Sequence, residues 1–212
     1  VFFRTRNSFS NLQIKHAGFD LYSDLDPRNI NNLKITEKKN NSNIKIVAEV
    51  TTNHFGNTEN IIELMTSSKN AGADLIKFQV RDVETFYPKQ ILQTKYKFPY
   101  GNTFYDYRKK LELTDEQIKI ILSLGKELKI KPFFSILDIR SFERLKKYKL
   151  NIIKIPSTVS VDNKYLEYIS KNYKKELVVS TGMTNNSYLT KCAKLFKKNK
   201  KLYILHCISS YP

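Results

Sequence analysis

Polar side chains recur at the ends of short apolar runs, where a folded chain would bury them. Glu49 lies in Ile-Lys-Ile-Val-Ala-Glu-Val (44–50), followed by Thr-Thr-Asn-His-Phe-Gly (51–56). Lys77 and Gln79 lie in Asp-Leu-Ile-Lys-Phe-Gln-Val (74–80), and Ser135 closes a run that starts at Pro132. Lys154 and Ser157 end a fourth run, Ser180 and Thr181 a fifth, His206 and Ser209 a sixth. Lysine and glutamate are seldom buried without a partner. Two lysines with several hydroxyls could hold a phosphate or carboxylate as fixed charge and donors. A buried lysine could instead form a Schiff base with a carbonyl substrate. Glu49 could orient a substrate hydroxyl or move a proton; as a structural group it would pair with Lys77. His54 and His206 do not make a metal site by spacing alone, and His206, following an apolar run, reads as a core histidine.

These residues need elements to position them, and from Ile44 the pattern is strand, loop, helix, repeated. The predicted strands are 44–50, 74–80, 132–137, 152–156, 177–181 and 202–207, near-continuous apolar runs of the kind buried on both faces of a parallel sheet. The predicted helices are 58–70 (Ile61, Leu64, Met65 and Ala71 on its apolar face, Gly72 closing it), 115–128, 140–148, 163–173 and 187–198. Thr114 with Gln117 makes a capping box for the second. In the last, Leu189, Cys192, Ala193 and Phe196 share a face. The aromatic-rich excursion 81–113 includes Tyr100–Tyr107, with Asn102 among the rings. As a long βα loop it could close over a substrate, or simply pack its aromatics locally. Six polar strand ends are best used if they converge, which favours a (β/α)8 barrel over an open doubly wound sheet. No Gly-rich dinucleotide fingerprint follows the first strand. Six of eight strand–helix units make the barrel incomplete at Pro212, so a fragment or truncated product is expected.

The 212 residues, 41% hydrophobic, suffice for one sizeable core. No run of about 18 apolar residues suggests a membrane span. The chain starts at Val1 with no leader-like segment, and residues 1–43 read as an irregular extension. Cys192 and Cys207 lie on patterns that look buried and make no disulfide framework, so both are expected reduced in a cytoplasmic protein. The formal charge of +17 could mark a nucleic-acid or anionic partner. The lysines are scattered in pairs, and Lys, Asn, Ile, Tyr and Phe are all abundant, so compositional bias explains the charge and no nucleic-acid partner is expected.

At these residues the chain resembles the sialic acid synthase (nonulosonic acid synthase) family, from Ile44 to the end. The resemblance is carried by Ala48-Glu49-Val50 with Asn53-His54-Phe55-Gly56, and by Ala71-Gly72-Ala73-Asp74 through Lys77-Phe78-Gln79. It continues in Leu111-Glu112-Leu113-Thr114, Lys154-Ile155 with Ser157, Ser180-Thr181-Gly182-Met183, and Leu205-His206-Cys207 through Ser210-Tyr211-Pro212. It implies a partial TIM-barrel synthase domain over 44–212, with the family's C-terminal antifreeze-like domain absent. It implies condensation of phosphoenolpyruvate with an N-acetylated sugar such as N-acetylmannosamine. C3 of phosphoenolpyruvate attacks the aldehyde, water adds at C2, and phosphate leaves with C–O cleavage. Carried over, Lys77, Lys154, Ser157, Ser180 and Ser209 fall at phosphoenolpyruvate-binding positions. Glu49 matches the carboxylate at the reacting centre, and Gln79, Asn102 and Tyr211 fall where the family holds the sugar. The full-length enzyme is expected to use Mn²⁺ or Mg²⁺ and to be a homodimer. Its metal-binding histidines belong to strand regions beyond the six read here, so little activity is expected of this chain alone.

The sequence departs from the family pattern at Ser135-Ile136-Leu137-Asp138, where a phosphate-binding threonine gives way to Ile136, and at Pro156-Ser157-Thr158-Val159, where an acidic group is lost. Other readings stay open: a class I aldolase-type lyase with a Schiff-base lysine, a non-catalytic relic, or a basic RNA-binding module.

Overall fold

The computed structural model describes residues 2–5, 12–16, 19–20, 45–99 and 101–209. Ile44, Tyr100 and Tyr211 lie outside the described residues. Residues 1–43, read as irregular, contain three short strands, β1 (Phe2–Thr5), β2 (Leu12–His16) and β3 (Phe19–Asp20). None is longer than five residues, too short for a period to be legible. β1 and β2 are antiparallel, as are β2 and β3.

The chain divides into two compact units. The first comprises Val1–Phe78 and Leu113–Pro132. It holds β4 (Val47–Thr51), α1 (Thr58–Asn70), the start of β5 (Leu75–Val80) and α5 (Asp115–Glu127). β1 and β5 pair with β4, both parallel. Asn57 caps α1 by accepting from the Asn60 N–H, and Gly72, at φ 82°, supplies the left-handed turn beyond its C-terminus. The Thr114–Gln117 capping box forms as predicted. Gln117 Nε2 also donates to Gly56 O at 3.2 Å, tying α5 to the loop after β4. Val50, Ile61, Met65, Ile76, Phe78, Ile118 and Ile121 are buried as this unit's core. Each contributes roughly 1.5–3 kcal/mol by leaving water.

The second unit comprises Gln79–Glu112 and Phe133–Pro212. In its first segment come α2 (Val83–Phe86), α3 (Lys89–Leu92), the antiparallel pair β6 (Lys95–Phe98) and β7 (Gly101–Thr103), and α4 (Phe104–Lys110). The excursion is thus folded, and its rings pack locally. Tyr96 and Tyr107 stand 4.6 Å apart and Tyr87 and Phe104 5.2 Å.

Its second segment alternates β8 (Lys131–Ile136, from Phe133), α6 (Ile139–Lys146), β9 (Ile152–Ile155), α7 (Asn163–Asn172), β10 (Glu176–Ser180), α8 (Asn186–Leu195) and β11 (Lys201–Leu205). β8 pairs with β9, β9 with β10 and β10 with β11, all parallel. Tyr165 of α7 is buried and donates to Ile136 O at 2.6 Å, so its burial leaves no orphan hydroxyl.

Three expectations of burial need correction. β11 is not buried on both faces; Ile204 is 42% exposed, because among the described residues β11 pairs with β10 alone. His206 is exposed and Cys207 half-buried, since both follow that edge strand. On α8 the buried face is Tyr188, Cys192 and Phe196, while Leu189 and Ala193 face out. Both cysteines are free. No helix among the described residues is long and apolar enough to cross a membrane.

Candidate active site

In the first unit, parallel pairing of β4 and β5 sets Glu49 opposite Lys77. Their charged atoms meet, Lys77 Nζ to Glu49 Oε2 at 2.7 Å. The Lys77 side chain is 2% exposed and Glu49 19%, so the pair is buried on the lysine side and reachable on the carboxylate side. The Thr51 N–H donates to the other oxygen, Glu49 Oε1, at 3.1 Å. Thr51 adopts φ 50°, and the register slips between Glu49 and Thr51. A β-branched residue in the left-handed region is strained, and such strain clusters where the chain must aim a group.

His54 follows in the same loop, fully buried. Its Nδ1 accepts from the Gly56 N–H at 3.0 Å, which places the proton on Nε2. That Nε2 has no hydrogen-bond partner among the described residues. Burial depresses the imidazole to about 4, so His54 is neutral near pH 7.

In the second unit, Lys154, Ser157, Ser180 and Ser209 come from the ends of β9, β10 and β11. Lys154 is 9% exposed and pairs in register with Ser135 on β8 and Val178 on β10. Ser180, the last residue of β10, is buried. Ser157 opens a 3-10 turn, Ser157–Val159, and its Oγ accepts from the Gly182 N–H at 3.0 Å. Ser209 Oγ would stand 2.3 Å from a Cβ built on Gly182, and Ser157 Oγ 2.7 Å. Only glycine lets both hydroxyls approach this close. Thr181 Oγ1 donates to Leu205 O and accepts from the Cys207 N–H, fixing the chain that carries Ser209. Met183 then turns at φ 60°. The result is a cradle of hydroxyls around Gly182, and Ser157 and Ser209 can each offer an O–H to an anion's oxygens.

The sugar-side expectations fare unevenly. Gln79, half-buried, accepts at Oε1 from Arg81 Nη2 at 2.8 Å. Asn102 sits on β7, exposed, with its backbone N–H on Asp106 Oδ2.

Sequence reasoning overlooked the group around Arg81. Its Nε lies 2.9 Å from Glu112 Oε1, its backbone N–H donates to Glu112 Oε2, and Nη1 donates to Tyr87 Oη at 2.7 Å. Arg108 Nη2 reaches the same carboxylate at 3.4 Å. Burial pushes the Glu112 carboxyl up, and Arg81 is the first influence pulling it back. The available signal was a charged residue, Glu112, alone between Leu111 and Leu113, which are both buried. Asp138 was read only as part of a motif. It caps α6 through the Ser141 N–H and also accepts from the Asp82 N–H, each at 2.7 Å.

Among the described residues, no three His, Cys, Asp or Glu side chains are grouped to hold a metal ion. Glu49 is engaged by Lys77.

Comparison with known proteins agrees with this arrangement of elements. The N,N'-diacetyllegionaminic acid synthase of Legionella pneumophila is 30% identical over 176 residues, 79% of this chain and 49% of that protein. The pseudaminic acid synthase of Campylobacter jejuni is 32% identical over 187 residues, 84% of this chain and 52% of that protein. The chain therefore spans about half the length of the curated relatives it matches. Among solved structures, the N-acetylneuraminic acid synthetase of Leptospira borgpetersenii matches with a TM-score of 0.67 at 23% identity, over 80% of this chain and 55% of that one. That likeness shows the fold class, α/β of the TIM-barrel type and incomplete. The profile of the NeuB family matches residues 64–212. The chain belongs to the NeuB family.

Proposed function

We propose that this chain binds phosphoenolpyruvate and serves its condensation with an N-acetylated sugar aldehyde, giving a nonulosonic acid and phosphate. One observation carries the reading: Ser157 and Ser209 close on Gly182, two residues after buried Ser180, and the buried cation Lys154 stands on the adjacent strand β9. Hydroxyls, a backbone loop and a fixed ammonium suit the phosphate and carboxylate of a small dianion. The names of the relatives support it, since both are synthases of acids in this class. In this reading Glu49 is the carboxylate at the reacting centre. Lys77, ion-paired to it, acts as a fixed charge. A lysine held 2.7 Å from a carboxylate is poorly placed to be a free amine nucleophile, which counts against Lys77 as the lysine of a Schiff-base lyase and leaves Lys154 as that reading's candidate.

The described residues do not fit a divalent metal, so no step is routed through one. Mn²⁺ or Mg²⁺, a homodimer and a cytoplasmic setting belong to this proposal only for a longer protein that supplies the ligands.

The test is calorimetric titration of this chain with phosphoenolpyruvate. Binding is expected, weakened at least tenfold in Lys154→Met and in Ser157→Ala and unchanged in Lys149→Met. Equal affinity for wild type and Lys154→Met would sink the reading.

A further inference from the structure

Gln79 presents a fixed polarity. An amide side chain can turn either its oxygen or its nitrogen outward, and the two ends are sterically alike. Arg81 removes that freedom. A guanidinium only donates, so the amide atom 2.8 Å from Arg81 Nη2 is the oxygen, Oε1. Arg81 is itself pinned: its guanidinium is ion-paired to Glu112, with Nε 2.9 Å from Oε1, its backbone N–H donates to Glu112 Oε2, and Nη1 donates to Tyr87 Oη. Its guanidinium also lies 5.5 Å from the centre of the Phe86 ring. Its side chain is 9% exposed, so the arrangement cannot be relaxed cheaply by solvent. The Nε2 group of Gln79 has no partner among the described residues, and Gln79 is half-buried, not sealed.

We propose that Arg81 is a positioning residue that sets specificity: it leaves Gln79 facing its substrate with N–H donors, so the group recognised there is an acceptor oxygen. An acyl carbonyl or a hydroxyl oxygen fits. A donor-only ammonium does not, because it would meet an amide N–H₂, and any approach to Oε1 would bring it against the guanidinium. That a substrate meets Gln79, and that it is an N-acylated sugar, rest on the proposed function; the polarity of Gln79 rests on the Arg81 hydrogen bond alone.

The polarity is read first without ligand, from the side-chain carbonyl carbon and amide nitrogen signals of Gln79 in the labelled chain. Arg81→Ala is expected to move the carbonyl carbon upfield, as a lost hydrogen bond does, and Arg81→Lys to restore it in large part. An unmoved signal in Arg81→Ala overturns the proposal. The second measurement uses Gln79→Glu, which keeps an acceptor for Arg81 and so folds, but has no donors. N-acetylmannosamine should bind about tenfold more weakly, mannosamine more tightly, and phosphoenolpyruvate as before. Unchanged affinity for both sugars overturns the specificity role. If the wild-type chain binds no phosphoenolpyruvate, the proposed function fails, while the carbon signal still decides the polarity.

Discussion

Lys77 Nζ and Glu49 Oε2 lie 2.7 Å apart across two parallel strands, with the lysine side chain sealed from water and the carboxylate partly open. The asymmetry matters. Removing the acid takes its carboxylate from a cation sealed in the interior, whereas removing the lysine leaves an acid that water can reach.

Glu49→Gln should therefore destabilise the chain more than Lys77→Met does. A cost of about 3 kcal/mol is expected for the first, the range for breaking a buried pair. The double variant should recover much of it, because neither charge of the pair is then buried. Urea unfolding of the four proteins closes this cycle. Additive losses in the double variant would show that the two groups are not coupled.

That register was legible in outline from the sequence. Both residues stand in apolar runs, and the six parallel strands fall within about three residues of their expected bounds. The Thr114–Gln117 box was readable because capping is a local rule. What was not readable depends on long-range partners. The edge character of β11 follows from its having one neighbour among the described residues, and the outward turn of Leu189 follows from Tyr188 taking the buried place on α8. The tie from Glu112 to Arg81 joins positions 31 residues apart. No periodicity announces such a pair. The hydroxyl cradle was half-read: Ser157, Ser180 and Ser209 were named, but the role of Gly182 needed coordinates.

Gly182→Ala tests that cradle. The added methyl would stand 2.3 Å from Ser209 Oγ and 2.7 Å from Ser157 Oγ, well inside van der Waals contact. Both serines must move, at a cost of roughly 1–3 kcal/mol of stability. Phosphoenolpyruvate affinity should fall more than tenfold. The double variant Gly182→Ala/Ser157→Ala should regain only part of the stability, since Ser209 Oγ still meets the methyl, and none of the affinity. Full affinity in the single variant would remove these hydroxyls from the binding site.

Asp138 holds two segments with one carboxylate. It accepts from the Ser141 N–H and Ser141 Oγ at the start of α6 and from the Asp82 N–H beyond β5. Burial pushes its pKa up, and these hydrogen bonds pull it back. Asp138→Ala should cost about 2–4 kcal/mol, a lost cap plus a lost bond to a charged group. Asp138→Asn should cost less, because one oxygen can still cap α6 while its N–H₂ cannot accept from Asp82. Equal losses in chemical denaturation would show that only the bond to Asp82 matters.

His54 makes stability depend on pH with a definite sign. In the folded chain burial holds its pKa at about 4, against an ordinary 6.5. Below 6.5 the unfolded chain takes up a proton that the folded chain refuses, so acid favours unfolding. The contribution of His54 is complete above about pH 6.5, shrinks as pH falls, and levels off below about 4. The whole fall is worth roughly 3 kcal/mol. His54→Asn keeps an acceptor for the Gly56 N–H and cannot titrate. The difference in unfolding free energy between wild type and variant should therefore narrow, or change sign, between pH 7 and pH 4.5. Parallel curves across that window would mean that His54 is not held neutral, and its buried Nε2 would then need a charged partner.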